Sequence, residues 1–149
     1  MSYADIERIE KRFLTRVDLD RLLDDEGLGA ANPAIPQRET EIMQAVDEEI
    51  NAQLQGLYPV PFEAGSVPPL IEHIADRLVA VAIYSRRPGE LPPTIRDLAA
   101  WAETKMRAVI RREIQLLATD PPTKSQPPLV SKDDDDRIFS DTTLGKMPS

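Results

Sequence analysis

The sequence predicts an all-α protein: a small bundle of about four to five helices followed by an extended C-terminal arm rich in proline and aspartate. Three observations lead there. Apolar residues recur at three- and four-residue spacing in successive blocks. Fourteen prolines against 6 glycines separate those blocks with stiff punctuation. No alternation of β-branched residues is long enough to require a sheet, although Val130 and Arg137 to Phe139 have the composition of short strands. At 149 residues the chain suits one domain with a real core, here expected over 1–117, with the arm over 118–149.

The elements follow in order. Asp5 to Phe13 places Ile6, Ile9 and Phe13 on one helical face, with Glu7 and Lys11 four apart on another. Val17, Leu19, Leu22 and Leu23 form a second short apolar cluster, capped by Asp18 or Asp20 and ended at Gly27 or Gly29. A loop through Ala30, Asn32, Pro33 and Pro36 opens a longer helix, in which Glu39 and Glu41 favour the positive end of the dipole. Ile42, Met43, Val46, Ile50 and Leu54 make its single apolar stripe.

After Gln55-Gly56 comes an elbow, Leu57-Tyr58-Pro59-Val60-Pro61. Pro68-Pro69 then opens a helix closing at Arg86-Arg87-Pro88-Gly89, along which Leu70, Ile71, Ile74, Ala75, Leu78, Val79, Ala82 and Ile83 cover more than half the circumference. A helix apolar almost all round must be enclosed, so this one is expected as the central rod. Leu91-Pro92-Pro93 resets the chain, Thr94 is placed to cap, and a last helix to about Leu117 carries Ile95, Leu98, Ala102, Met106, Val109 and Ile110 inward. Asp120-Pro121-Pro122 and Gln126-Pro127-Pro128 cannot continue it.

Composition excludes several function classes. Without cysteine there is no disulfide framework and no thiolate site. The longest near-apolar run, Leu78 to Tyr84, falls far short of the roughly 20 residues that span a bilayer, and the charged N-terminus does not resemble a signal peptide, so a soluble protein is expected. The net charge of −8 is uneven: residues 1–50 carry 13 acids and 6 bases, whereas Thr94 to Leu117 carries 5 bases and 3 acids. Such a surface should repel nucleic acid rather than bind it.

Chemistry finds little foothold. His73, the only histidine, lies three residues before Asp76, yet no second histidine or supported nucleophile accompanies them, and Ser66 and Ser85 lack a triad. A structural or surface role is expected for His73. Asp133 to Asp136 lacks the alternating spacing and turn glycine of a calcium loop and reads as a solvated acidic linker. Neither GxGxxG nor a P-loop pattern occurs, so no enzymatic activity, cofactor or metal is expected.

Binding is the better supported class. Arg107, Arg111 and Arg112 lie about one turn apart near the end of the last helix, either as an ion-pairing stripe for an acidic neighbour or as cations at the negative end of the dipole. In the arm, Arg137, Ile138 and Phe139, then Leu144 and Met147, present side chains that a solvated tail gains nothing by carrying, and docking on a neighbouring subunit is preferred over folding back.

The order of these pieces resembles the neck or head-tail adaptor (connector) proteins of Mu-like tailed phages. The resemblance rests on Tyr3 near the start, the acidic helix ending near Leu54, the Leu57-Tyr58-Pro59-Val60-Pro61 elbow, Val67-Pro68-Pro69-Leu70 leading into Ala75-Asp76 and on to Tyr84, and the late Asp136-Arg137-Ile138-Phe139 segment. It implies an all-α virion protein without catalytic residues, made in the host bacterial cytoplasm and placed at the neck. The implied partners are the portal protein, a stopper or tail-completion protein, and further copies of the chain in a cyclic homo-oligomer, a dodecamer if about twelve copies match a portal. DNA would pass through the ring without specific binding, and no membrane is involved. The competing expectation is a small cytoplasmic helical binding or regulatory module.

Overall fold

The computed structural model describes residues 2–116. By contacts the chain divides at Ile110, into Met1–Ile110 and Arg111–Ser149, and of the second unit only 111–116 are described. Among the described residues the secondary structure is helical: α1 (Ile6–Arg12), α2 (Arg16–Leu23), a 3-10 turn (Gly29–Ala31), α3 (Ala34–Leu54), α4 (Pro69–Tyr84) and α5 (Pro93–Ile110). The only strand-like pairing there is the isolated bridge between Gln55 and Tyr58. The fold is a small all-α bundle.

α4 is the central rod, packed against α1, α2, α3 and α5. Ile71, Ile74, Ala75, Val79, Ala80 and Ile83 are buried along it, meeting Val46, Ile50 and Leu54 of α3 and Ile95, Ala102, Met106 and Val109 of α5 in one core. Each large aliphatic side chain removed from water here contributes roughly 1.5 to 3 kcal/mol. Pro69 occupies the first turn of α4, where a missing N–H costs nothing.

The most consequential residue of α4 is not apolar. Asp76 is fully buried, and its carboxylate accepts from Arg8 Nε (2.7 Å), Arg8 Nη2 (3.1 Å) and the Asp5 backbone N–H (2.9 Å). Arg8 Nη2 also donates to the Tyr3 carbonyl at 3.0 Å. A second set of bonds fixes the same segment to α3 and the elbow. The Tyr3 hydroxyl donates to Asn51 Oδ1 (2.6 Å) and accepts from the Phe62 N–H (2.9 Å), while the Tyr3 N–H donates to Asp47 at 3.1 Å. The Tyr3 and Phe62 rings pack edge to face, 5.8 Å between centroids, and Tyr58 and Phe62 are the buried side chains at the elbow, whose Pro59 and Pro61 stay exposed. Gly56, at φ 87, makes the turn that starts the elbow.

Five expectations are corrected. Thr15, not Asp18 or Asp20, caps α2: its extended backbone precedes the helix and its hydroxyl accepts from the Asp18 N–H at 3.1 Å. Val17, expected in the apolar cluster, is 74% exposed, because in so short a helix Leu19, Leu22 and Leu23 already fill the inward face. Glu39, expected at the positive end of the dipole, lies beyond the first turn of α3 and is buried, with Oε2 2.8 Å from Arg16 Nη1 but off the hydrogen-bond direction; burial outweighs that ion pair and raises its pKa. Thr94 lies inside the first turn of α5 rather than capping it, because the ladder already starts with Arg96 N–H bonded to the Pro92 carbonyl. α5 stops at Ile110 instead of Leu117, and Arg112 takes the left-handed φ of 59 that ends many helices.

The carbonyls at the end of α2 are satisfied by arginines from elsewhere. Arg86 donates to the Leu22 carbonyl (2.7 Å), Arg87 to those of Arg21 (3.0 Å) and Asp24 (3.2 Å), and Arg38 to that of Leu23 (2.7 Å). The acids beyond α2 hold these cations in place: Asp25 pairs with Arg86 and Glu26 with Arg38. Asp24 closes the loop by accepting from the Leu28 and Gly29 N–H groups and from Asn32.

Three outcomes follow. Ile74→Asp removes a buried side chain and buries a charge, and should lower stability by at least about 4 kcal/mol, to be read by urea denaturation or as loss of soluble protein. Arg8→Met leaves Asp76 buried and unpaired and should cost about 3 to 5 kcal/mol, whereas Arg8→Met with Asp76→Leu should recover much of that loss; equal stability of the two variants would contradict the clamp. Arg38 and then Asn32 hold the Glu26 carboxyl at about 2, against an ordinary 4.5. Because the folded pKa is depressed, this pairing stabilises fully above about pH 4.5 and is lost as pH falls through 2, so Glu26→Gln should flatten the acid limb of stability between those values.

Candidate partner-binding surface

α3, α4 and α5 leave an open groove of about 440 Å³ along their shared face. Its apolar floor is Leu78, Ala99, Ala102, Met106 and Ile110, and its rim is polar: Glu49 and Gln53 from α3, Glu103 and Arg107 from α5. The floor arises because Leu78 points away from the centre of the rod and small side chains on α5 leave space beside it. A groove with this floor and rim suits an apolar anchor flanked by charge.

The arginines expected to form one stripe do not share a helix. Arg107 is exposed in the last turn of α5 and borders the groove. Arg111 is exposed and Arg112 half-buried beyond the helix end, so the spacing that would align the three does not hold. Arg137, Ile138, Phe139 and Leu144 lie outside the described residues.

A different cationic grouping lies where α1, α4 and α5 meet, one that sequence spacing did not expose. The Arg77 guanidinium sits 3.9 Å from the Trp101 ring centroid and 5.2 Å from that of Phe13, and donates to the His73 carbonyl at 3.1 Å. Lys105 Nζ is 5.7 Å from the same indole, and Arg12 Nη1 is 3.3 Å from His73 Nδ1. Burial first, and then the charge of Arg12, hold the Arg77 pKa below the usual arginine range. Among the described residues no carboxylate lies within ion-pair distance of Arg12, Arg77 or Lys105, whereas Arg8, Arg16, Arg21, Arg38, Arg86 and Arg87 all have one. Arg12, Arg77 and Lys105 are 28 to 93 positions apart, which is why only the fold brings them together.

Neither His73 nor Asp76 is arranged for acid-base work. Asp76 is enclosed and committed to Arg8 and the Asp5 N–H, and His73 faces Arg12 instead. Among the described residues no group of three His, Cys, Asp or Glu side chains is placed to hold a metal ion, and no helix is long and apolar enough to cross a membrane.

No curated protein and no solved structure matches the chain significantly. A protein-family model does: the model for bacteriophage Mu Gp36 matches residues 3–131, from the buried Tyr3 through all five helices and into the arm. A match across most of the 149 residues identifies the family, and the chain is a Mu-like phage protein belonging to the bacteriophage Mu Gp36 family.

Proposed function

We propose that this phage protein is a structural component of the virion, a head-tail connector that assembles as a ring beneath the portal and links it to the next neck or tail component. The observation that carries this is the family match over residues 3–131, which takes in the whole bundle and the start of the arm as one unit of inheritance. The rigid rod of α4, clamped to the N-terminal segment through Asp76, suits a subunit whose task is to keep its shape under load. A non-enzymatic role fits the commitment of Asp76 to Arg8. Portal on one side and a stopper or tail-completion protein on the other are the partners, with about twelve copies around the channel.

The acidic balance of the chain, −8, suits passage of DNA through the ring, since a wall that does not neutralise phosphates does not hold them. The arm, with Arg137, Ile138, Phe139 and Leu144, serves as a clamp on a neighbouring subunit or the portal, and the groove bordered by Arg107 is a surface for such an anchor.

Electron microscopy of the purified chain, alone and mixed with purified portal, tests the proposal. Closed rings, or a ring seated on the portal, are expected. A lasting monomer that ignores portal and instead captures a soluble host protein would favour the small cytoplasmic binding module. Truncation after Pro122 should leave the thermal unfolding of the monomer unchanged while abolishing assembly; equal assembly with and without the arm would remove the clamp from the model.

A further inference from the structure

We propose that the cluster of Arg12, Arg77 and Lys105 around Trp101 binds the Asp133–Asp136 run of a second copy of this chain, an inference that rests on the self-assembly proposed above. The argument begins with charge. On a chain of net charge −8, three cations are gathered within ion-pair distance of no described carboxylate, and burial and the repulsion of Arg12 outweigh the attraction Arg77 feels from the more distant charge of Asp76. Such an arrangement is stabilised by an anion from outside.

Geometry makes the cluster a receptor rather than a solvated face. Stacking on Trp101 and contact with Phe13 hold the Arg77 guanidinium in one place, while Arg12 is exposed and Lys105 half-exposed beside it. A planar guanidinium on an aromatic ring keeps in-plane N–H groups for a carboxylate.

The chain itself carries the matching anion. Asp133 to Asp136 are four consecutive carboxylates, followed at once by Arg137-Ile138-Phe139. In extended backbone alternate side chains share a face about 6.5 Å apart, so two of the four can meet separate cations. The chain between Ile110 and Asp133, at about 3.3 Å per residue, reaches on the order of 75 Å, several times the roughly 13 Å radius of gyration of a domain this size. A neighbour is therefore within reach, and a contact between two different patches is the kind that closes rings.

Because the chain has no cysteine, single-cysteine variants report contacts without ambiguity. Full-length Thr104→Cys and Ser131→Cys proteins, mixed in equal amounts and mildly oxidised, should give a disulfide-linked heterodimer. Arg12→Glu with Lys105→Glu, leaving the packed Arg77 in place, should abolish that cross-link and weaken self-association about tenfold or more by sedimentation velocity. Combining those two changes with Asp134→Lys and Asp135→Lys should restore both signals.

Absence of the mixed cross-link would overturn the proposal, as would a cross-link confined to single chains when both cysteines are on one molecule. Capture of a short DNA duplex by the unmodified chain but not by the Arg12→Glu/Lys105→Glu variant would overturn it in favour of phosphate. Rings that form regardless of the charge reversals would sink this contact and leave the ring standing. A mixed cross-link without rings would do the opposite.

Discussion

The bundle depends on one buried ion pair. Asp76 sits in the middle of the helix that every other helix touches, and three donors from residues 5 to 8 converge on it. A carboxylate taken out of water is stable only if its lone pairs are used, and here the N-terminal segment uses them. This fixes where α1 lies against α4, and the Arg8 bond to the Tyr3 carbonyl carries the same constraint back to Tyr3. Tyr3 in turn joins α3 to the elbow through its hydroxyl. Aliphatic packing supplies the driving force, but grease alone does not choose between alternative docking angles of short helices. The polar clamp does.

At the other side of the rod the same logic operates with the signs reversed. The unsatisfied carbonyls at the end of α2 attract Arg38, Arg86 and Arg87, and the acids just beyond hold those cations. Much of the negative charge counted in the first fifty residues is thereby spent on internal pairing. What these pairings leave over is local, and the Arg12, Arg77 and Lys105 cluster is such a remainder. Net charge and local charge thus differ in sign on the same small molecule.

The core was legible in the sequence and the polar framework was not. Ile71, Ile74, Val79 and Ile83 recur at helical spacing among few interruptions, and burial of such a face is the only arrangement that removes it from water. Pro68-Pro69 and Pro92-Pro93 marked two helix starts because ring geometry acts locally. Asp76 has His73 close by in sequence, but nothing local announces that Arg8 is its partner, 68 positions away. Thr15 caps α2 beside two aspartates whose side chains are equally able to cap, so local sequence does not single it out. The end of α5 carries no glycine or proline, so its stop at Ile110 had no local signal. Arg107 could be placed on the groove rim only once α3 and α4 were beside it, and Arg77 on Trp101 likewise needed two helices.

The bonds made by Tyr3 also impose an order of events. Its hydroxyl needs Asn51 and Phe62, and its neighbour Arg8 needs Asp76, so residues made before α3 and α4 are among the last to be secured. Contacts spanning 48 to 71 positions close large loops, which slows their formation relative to pairing of α4 with α5. Until α4 is complete, Tyr3 and Ile9 remain uncovered on the nascent chain. The bundle is therefore complete only after these N-terminal bonds have closed.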